Sequence, residues 1–254
     1  MSKQVLPITR LIVGDVSADV LVCGDPGRAD KIAARLQDAV LLSDHREYRA
    51  YRGTYQGYPV SVCSHGIGAP GAAIAFEELI AAGARRLIRL GTCGSLQPDI
   101  QSGDLVIAAA AVQHTGYGRE MVPSGYPAVA DPELSLALSH AAAHLGFPNR
   151  KGLVLTRDVF YQGVDGGQLP DYQSLSAANV LAVEMECAAL FIVGSLRAVS
   201  TAAILAVDGN VLESAESFDS YMPHEEKVMA AVNAEIAIAL TALTGAPLYP
   251  CSDD

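Results

Sequence analysis

Ile88-Arg89-Leu90-Gly91-Thr92-Cys93-Gly94-Ser95 sets an arginine inside an apolar strand, Leu87 to Leu90, that runs into a glycine-flanked turn bearing a hydroxyl. A guanidinium buried in such a strand is costly unless it meets an anion or a carboxylate. Small residues at a strand end let backbone N–H groups approach an oxyanion closely. Two readings stand at this point. Arg89 pairs with a structural carboxylate, or it holds an anionic ligand.

Working outward, buried strands alternate with helices. Asp19 to Gly24 reads as a short β-branched strand ending in Gly-Asp-Pro, with Pro26 in a helix's first turn and helical spacing over Ala29 to Leu36. Tyr51 to Tyr58 and Pro59 to Ser64 form a hairpin at Gly57, and His65-Gly66-Ile67-Gly68-Ala69-Pro70 is a glycine turn feeding a helix from about Gly71 to Ala82. Gly103 to Ala111, Lys151 to Leu155 and Val199 to Val207 read as strands. Pro132 to Leu145, Glu184 to Leu196 and Glu225 to Leu243 read as helices. Strands that are nearly all apolar indicate a sheet covered on both faces. The expected fold is α/β, a single domain over residues 1–254 with a central mixed β-sheet flanked by helices.

Composition narrows the function classes. The chain has 254 residues, 50% of them hydrophobic, and no apolar run reaches the ~18–20 residues of a membrane span. Its first ten residues, MSKQVLPITR, lack a secretory signal pattern, so a soluble, cytoplasmic protein is expected. The five cysteines (Cys23, Cys63, Cys93, Cys187, Cys251) are scattered without a C-x-x-C pair, which suits free thiols in a reducing compartment. His114, His140, His144 and His224 lack metal-ligand spacing, so no metal is expected. A net charge of −11 argues against a nucleic-acid partner but not against a small anion met by a few local arginines.

Polar and glycine residues gather at strand ends, where ligands bind in α/β folds. Arg28 in Gly24-Asp25-Pro26-Gly27-Arg28 joins Arg89 as a forked donor, and N–H groups at Gly24 and Thr92 with the Thr92 hydroxyl complete a phosphate-sized site. No Walker loop and no G-x-G-x-x-G fingerprint occurs. Val183-Glu184-Met185-Glu186-Cys187 puts two acids at a helix start. Helix electrostatics account for one of them, and the other is placed to accept from vicinal sugar hydroxyls. Asp208 ends an apolar strand, either as a turn-initiating Asp or as a semi-buried general acid. His65, beside Gly66, reads as a satisfied turn histidine rather than a base.

GDPGR (24–28), HGIGAPG (65–71), RLGTCGS (89–95), DVFY (158–161), VEMEC (183–187) and the Asp208 strand end occur in the order and spacing of the trimeric and hexameric nucleoside phosphorylase family, which the whole chain resembles. That family includes purine nucleoside, methylthioadenosine and uridine phosphorylases. The resemblance implies that phosphate displaces a base from C1′ of a nucleoside, with inorganic phosphate as co-substrate and no other cofactor. By the same resemblance Gly24, Arg28, Arg89 and Thr92 bind phosphate. Arg46 completes that site from a neighbouring subunit, which implies a homo-oligomer built of dimers, expected to be a hexamer. Met185 and Glu186 bind ribose, Cys93, Gly94 and Phe160 line the base, and Asp208 protonates a purine at N7. Arg89 and Asp208 are the expected catalytic pair.

Three departures bear on the substrate. No arginine follows Asp208, where the purine branch has one, so Asp208 relies on burial or on a donor such as Asn210. No histidine precedes His45, and Leu6 to Thr9 leave an apolar 5′ region that suits a 5′-methylthio group. The uridine branch's Gln-x-Arg pair is missing: Gln168 could be shifted into the glutamine's role, but no arginine follows it. The leading expectation is a purine nucleoside or 5′-methylthioadenosine. Uridine is the alternative, followed by a hydrolytic nucleosidase or a catalytically weak nucleoside-binding relative.

Overall fold

The computed structural model describes residues 4–161, 170–213 and 225–245. Along them run β1 (Asp19–Cys23), α1 (Pro26–Ala33), β2 (Gln37–His45), β3 (Tyr48–Tyr55), β4 (Tyr58–Ser64), α2 (Ala69–Ala82), β5 (Arg86–Ser95) and β6 (Leu105–His114). These are followed by α3 (Gly116–Met121), β7 (Ala128–Val129), α4 (Pro132–His144), β8 (Arg150–Arg157), α5 (Tyr172–Ala177), β9 (Val180–Glu184), α6 (Cys187–Arg197), β10 (Ser200–Asn210) and α7 (Glu226–Thr244). The strands join one mixed sheet in the order β10-β6-β8-β9-β5-β1-β4-β3-β2, with β7 beside β6, and a β10–β5 pairing closes the first five into a barrel. The expected α/β fold with a mixed sheet flanked by helices is what forms.

Two apolar layers hold the helices on. Phe76 and Leu79 of α2 and Phe191 and Ile192 of α6 pack in one cluster, while Ile32 of α1, Leu138 of α4 and Ile236 and Leu240 of α7 pack in another. Local chemistry starts α1 and α4: Asp25 accepts from the Gly27 N–H and Asp131 from the Leu134 N–H, each followed by a proline in the first turn. Within the 19 residues of α7, an 18-residue stretch has a mean hydropathy of 1.4, and 67% of that stretch is buried within the protein. It is a core helix of the sheet rather than a free apolar segment.

Three expectations need correction. The Gly91 to Ser95 segment is not a turn, because β5 continues to Ser95. On one edge it pairs with β10 throughout. On the other it pairs with β1 as far as Leu90 and with β9 from Gly94 onward. Gly91, Thr92 and Cys93 therefore lie where β5 changes partners, at a switch point of the kind that opens a ligand crevice. Second, VEMEC does not begin a helix. Glu184 closes β9 and α6 starts at Cys187. Third, Asp208 does not end its strand, since β10 runs to Asn210 with a register shift between Val207 and Gly209. Asp208 is the extra residue of a β-bulge, a device that re-aims a side chain.

Candidate active site

A cavity of about 600 Å³ opens at the switch point, lined by Gly24, Arg28, Arg89, Thr92, Cys93, Gly94, Phe160, Met185, Glu186 and Asp208 among others. That volume is ample for a nucleoside-sized ligand. Every site residue expected from the sequence lines it except Arg46. Arg46 is exposed at the β2–β3 turn with φ +57°, next to Glu47, which does line the cavity.

The β5 glycine explains how Arg89 is held. Residues two apart share a strand face, and the Arg89 guanidinium folds back over Gly91 so closely that a Cβ there would stand 2.6 Å from its Nη2. Only 4% exposed, the guanidinium donates through Nη2 to Glu186 and faces Glu184 at 3.4 Å. Burial pushes its pKa down, but Glu186 and Glu184 outweigh that and raise it. On the other nitrogen, Nη1 lies 3.3 Å from His65 Nε2. A guanidinium only donates, so Nε2 accepts, and Nδ1 carries the proton toward the Gly66 carbonyl at 2.9 Å. His65 is fully buried, and burial, then Arg89, holds its pKa well below the usual imidazole range. It is a neutral, satisfied turn histidine, as its sequence context suggests. Its ring also meets Phe76 edge-on at 5.4 Å.

The two acids of VEMEC divide their tasks. Glu184 Oε2 accepts from the Glu186 and Cys187 N–H groups at 2.7 and 2.9 Å, and Oε1 accepts from Thr156 Oγ1 at 2.5 Å, so both oxygens are engaged in capping α6 at the cavity wall. Glu186 instead faces the cavity, where its Oε1 accepts the Gly68 N–H at 2.6 Å and its Oε2 meets Arg89. Burial raises the Glu186 pKa against the pull of Arg89. Both readings of Arg89 thus meet in one place: it pairs with two carboxylates, and all three side chains belong to residues that line the cavity.

Arg28 reaches across from α1. Its Nη1 donates to the Leu90 carbonyl at 3.2 Å and lies 3.2 Å from Oε1 of Glu235, a fully buried residue of α7. Sequence reading missed Glu235, although a charge between Ala234 and Ile236 in an apolar helix was a visible signal. Burial pushes its carboxyl from the ordinary 4.5 up to about 8, with Arg28 and then Arg89 pulling the other way. A folded-state pKa above the unfolded one gives stability that is complete below the unfolded value and lost as pH rises through the folded value. Wild-type protein should therefore lose stability relative to Glu235→Gln between about pH 5 and pH 9. Urea denaturation of both across that range checks this, and parallel profiles would remove Glu235 from the account.

Further expectations resolve at the margins. Asn210 is engaged elsewhere: its Nδ2 donates to the Gln97 carbonyl at 3.0 Å and its Oδ1 accepts from the Leu212 N–H at 3.0 Å, which fixes the turn after β10. Cys23, Cys63, Cys93 and Cys187 are free and buried. Gln168, His224 and Cys251 lie outside the described residues. Among the described residues no group of three or more His, Cys, Asp or Glu side chains could hold a metal.

A family model described as the phosphorylase superfamily matches residues 19–244. The chain is 40% identical to a uridine phosphorylase of Treponema pallidum over 222 residues, which cover 85% of this chain and 86% of that protein. It is 41% identical to a purine nucleoside phosphorylase of Plasmodium vivax over 219 residues, covering 85% and 88% of the two chains. The crystal structure of purine nucleoside phosphorylase from Toxoplasma gondii in complex with immucillin-H superposes with a TM-score of 0.87 at 36% identity, covering 96% of this chain and 97% of that one.

Proposed function

The chain belongs to the phosphorylase superfamily as a nucleoside phosphorylase, a pentosyltransferase, and we propose that its substrate is a purine nucleoside, split by inorganic phosphate into free base and ribose 1-phosphate. One observation carries the choice of base. The β10 bulge turns Asp208 toward the cavity that also holds Cys93, Gly94 and Phe160, which supplies a carboxyl group for a purine ring nitrogen. Uridine is the second reading, favoured by the likeness to a uridine phosphorylase.

In this mechanism phosphate lies between Arg28, Arg89, Thr92 and the Gly24 backbone, and Glu186 accepts from the ribose 2′ and 3′ hydroxyls while Met185 packs on the sugar. Cleavage of the C1′–N bond builds positive charge on the ribose, and the phosphate anion fixed beside C1′ stabilises it. Asp208 gives a proton to N7 of the departing base, a contribution of about 10²–10⁴ in rate. Fixing both reactants in one cavity removes much of the entropy cost of a bimolecular step. Phosphate is a co-substrate here, and the mechanism draws on no other cofactor.

Arg46 is assigned to the phosphate site of a neighbouring subunit, which its exposed place at a hairpin tip supports, and a hexamer built of three dimers is the proposed assembly. The free buried thiols support a cytoplasmic setting. The test is a panel of inosine, adenosine, 5′-methylthioadenosine and uridine with and without phosphate, following base release, on protein whose mass is read by light scattering. Base released from a purine nucleoside only with phosphate, by an oligomer, is the expected result. Release independent of phosphate would make the protein a hydrolase, uridine as the sole substrate would reverse the choice of base, and a fully active monomer would exclude the Arg46 assignment.

A further inference from the structure

Arg157 was not among the residues singled out in the sequence, yet it lines the same cavity and is only 6% exposed. It closes β8, whereas Gly24 follows β1, and β9 and β5 stand between those two strands. Arg157 thus enters the cavity from a different element than Arg28, on the segment that also brings Val159 and Phe160 to its wall.

The chemistry around it is incomplete for a structural arginine. Its Nη1 donates to the Tyr172 hydroxyl, its Cζ stands 5.6 Å from that ring's centroid, and its buried Nε has no hydrogen-bond partner. Among the described residues no ion pair joins it to a carboxylate, in contrast to the other two arginines of the cavity. Arg89 is held by two acids and Arg28 faces one. A buried cation without a counter-charge is costly unless a ligand brings an acceptor to it.

We propose that Arg157 reads the nucleobase, donating to the carbonyl oxygen of a 6-oxopurine and disfavouring a 6-aminopurine. The inference rests on the purine reading above. A guanidinium offers five N–H donors and no acceptor. It completes its bonds on a carbonyl oxygen, and it confronts the amino group of adenine donor to donor. A polar site left unpaired by the wrong partner discriminates strongly, and here the carbonyl lies on the same base edge as the N7 assigned to Asp208.

The test is calorimetric binding of free hypoxanthine and free adenine, in saturating phosphate, to wild type, Arg157→Met and Arg157→Lys. Methionine keeps much of the volume and removes a buried charge that no ion pair joins to a carboxylate among the described residues, so this variant is expected to fold. Hypoxanthine should bind Arg157→Met about 10–100-fold more weakly than wild type, the loss of one charge-assisted hydrogen bond. Adenine should change by less than about threefold, and Arg157→Lys should fall between the two for hypoxanthine. Equal weakening of both bases would mark Arg157 as structural, and unchanged hypoxanthine affinity would overturn the proposal outright. Binding needs no turnover, which keeps the two readings separable. Hypoxanthine held through Arg157 with no base released from inosine would overturn the phosphorolysis reading alone.

Discussion

Arg89→Ala is expected to lower kcat/KM for phosphorolysis by about 10²–10³-fold, with a raised KM for phosphate, and to destabilise the fold as well. The second effect follows from what the side chain touches. Glu184 and Glu186 are both 4% exposed and both face this one guanidinium. Removing one partner of a buried ion pair costs about 3–5 kcal/mol, because the remaining charge is left uncompensated. The double variant Arg89→Ala/Glu186→Gln separates the two roles. It should recover part of the stability in urea denaturation, since the amide oxygen can still accept the Gly68 N–H. It should recover none of the phosphate affinity. A single variant that is less stable but keeps its phosphate dependence would reduce Arg89 to a structural ion pair.

That Arg28 and Arg89 share one cavity was legible because their signals are local. An arginine in an apolar strand and a second one in a Gly-Asp-Pro-Gly-Arg turn each advertise an anion without reference to the rest of the chain. What long-range pairing decides was hidden. Gly91 to Ser95 has turn composition, and it is a strand because β10 pairs it from one side while β1 and β9 share the other. Spacing could show that one of Glu184 and Glu186 was surplus to helix electrostatics, but not which. The answer lies in Thr156 and the Gly68 N–H, far away in sequence. Arg157 escaped notice for a related reason. A cation at the end of a short strand looks solvated until Tyr172 and the cavity wall are seen to enclose it. The exposed β2, with a register shifted twice against β3, offered no clean alternation to find.

Asp208→Asn should slow the release of hypoxanthine from inosine by about 10²–10⁴-fold in kcat while leaving nucleoside affinity within a few-fold. Asparagine keeps the size and a hydrogen-bonding oxygen but cannot give up a proton at neutral pH. Register decides why this position can carry the role. Without the bulge between Val207 and Gly209, strict alternation along β10 would put residue 208 on the opposite face from Val207, with its direction set by the ladder alone. The bulge frees it from that constraint, beside Cys93 and Gly94. A purine nucleoside methylated at N7 supplies the control, because its base already carries the positive charge that protonation would create. Wild type and Asp208→Asn should cleave that substrate at similar rates, so the defect disappears when the proton is no longer needed. An equal loss on both substrates would mean that Asp208 holds the base rather than protonating it. No loss on inosine would move the acid elsewhere.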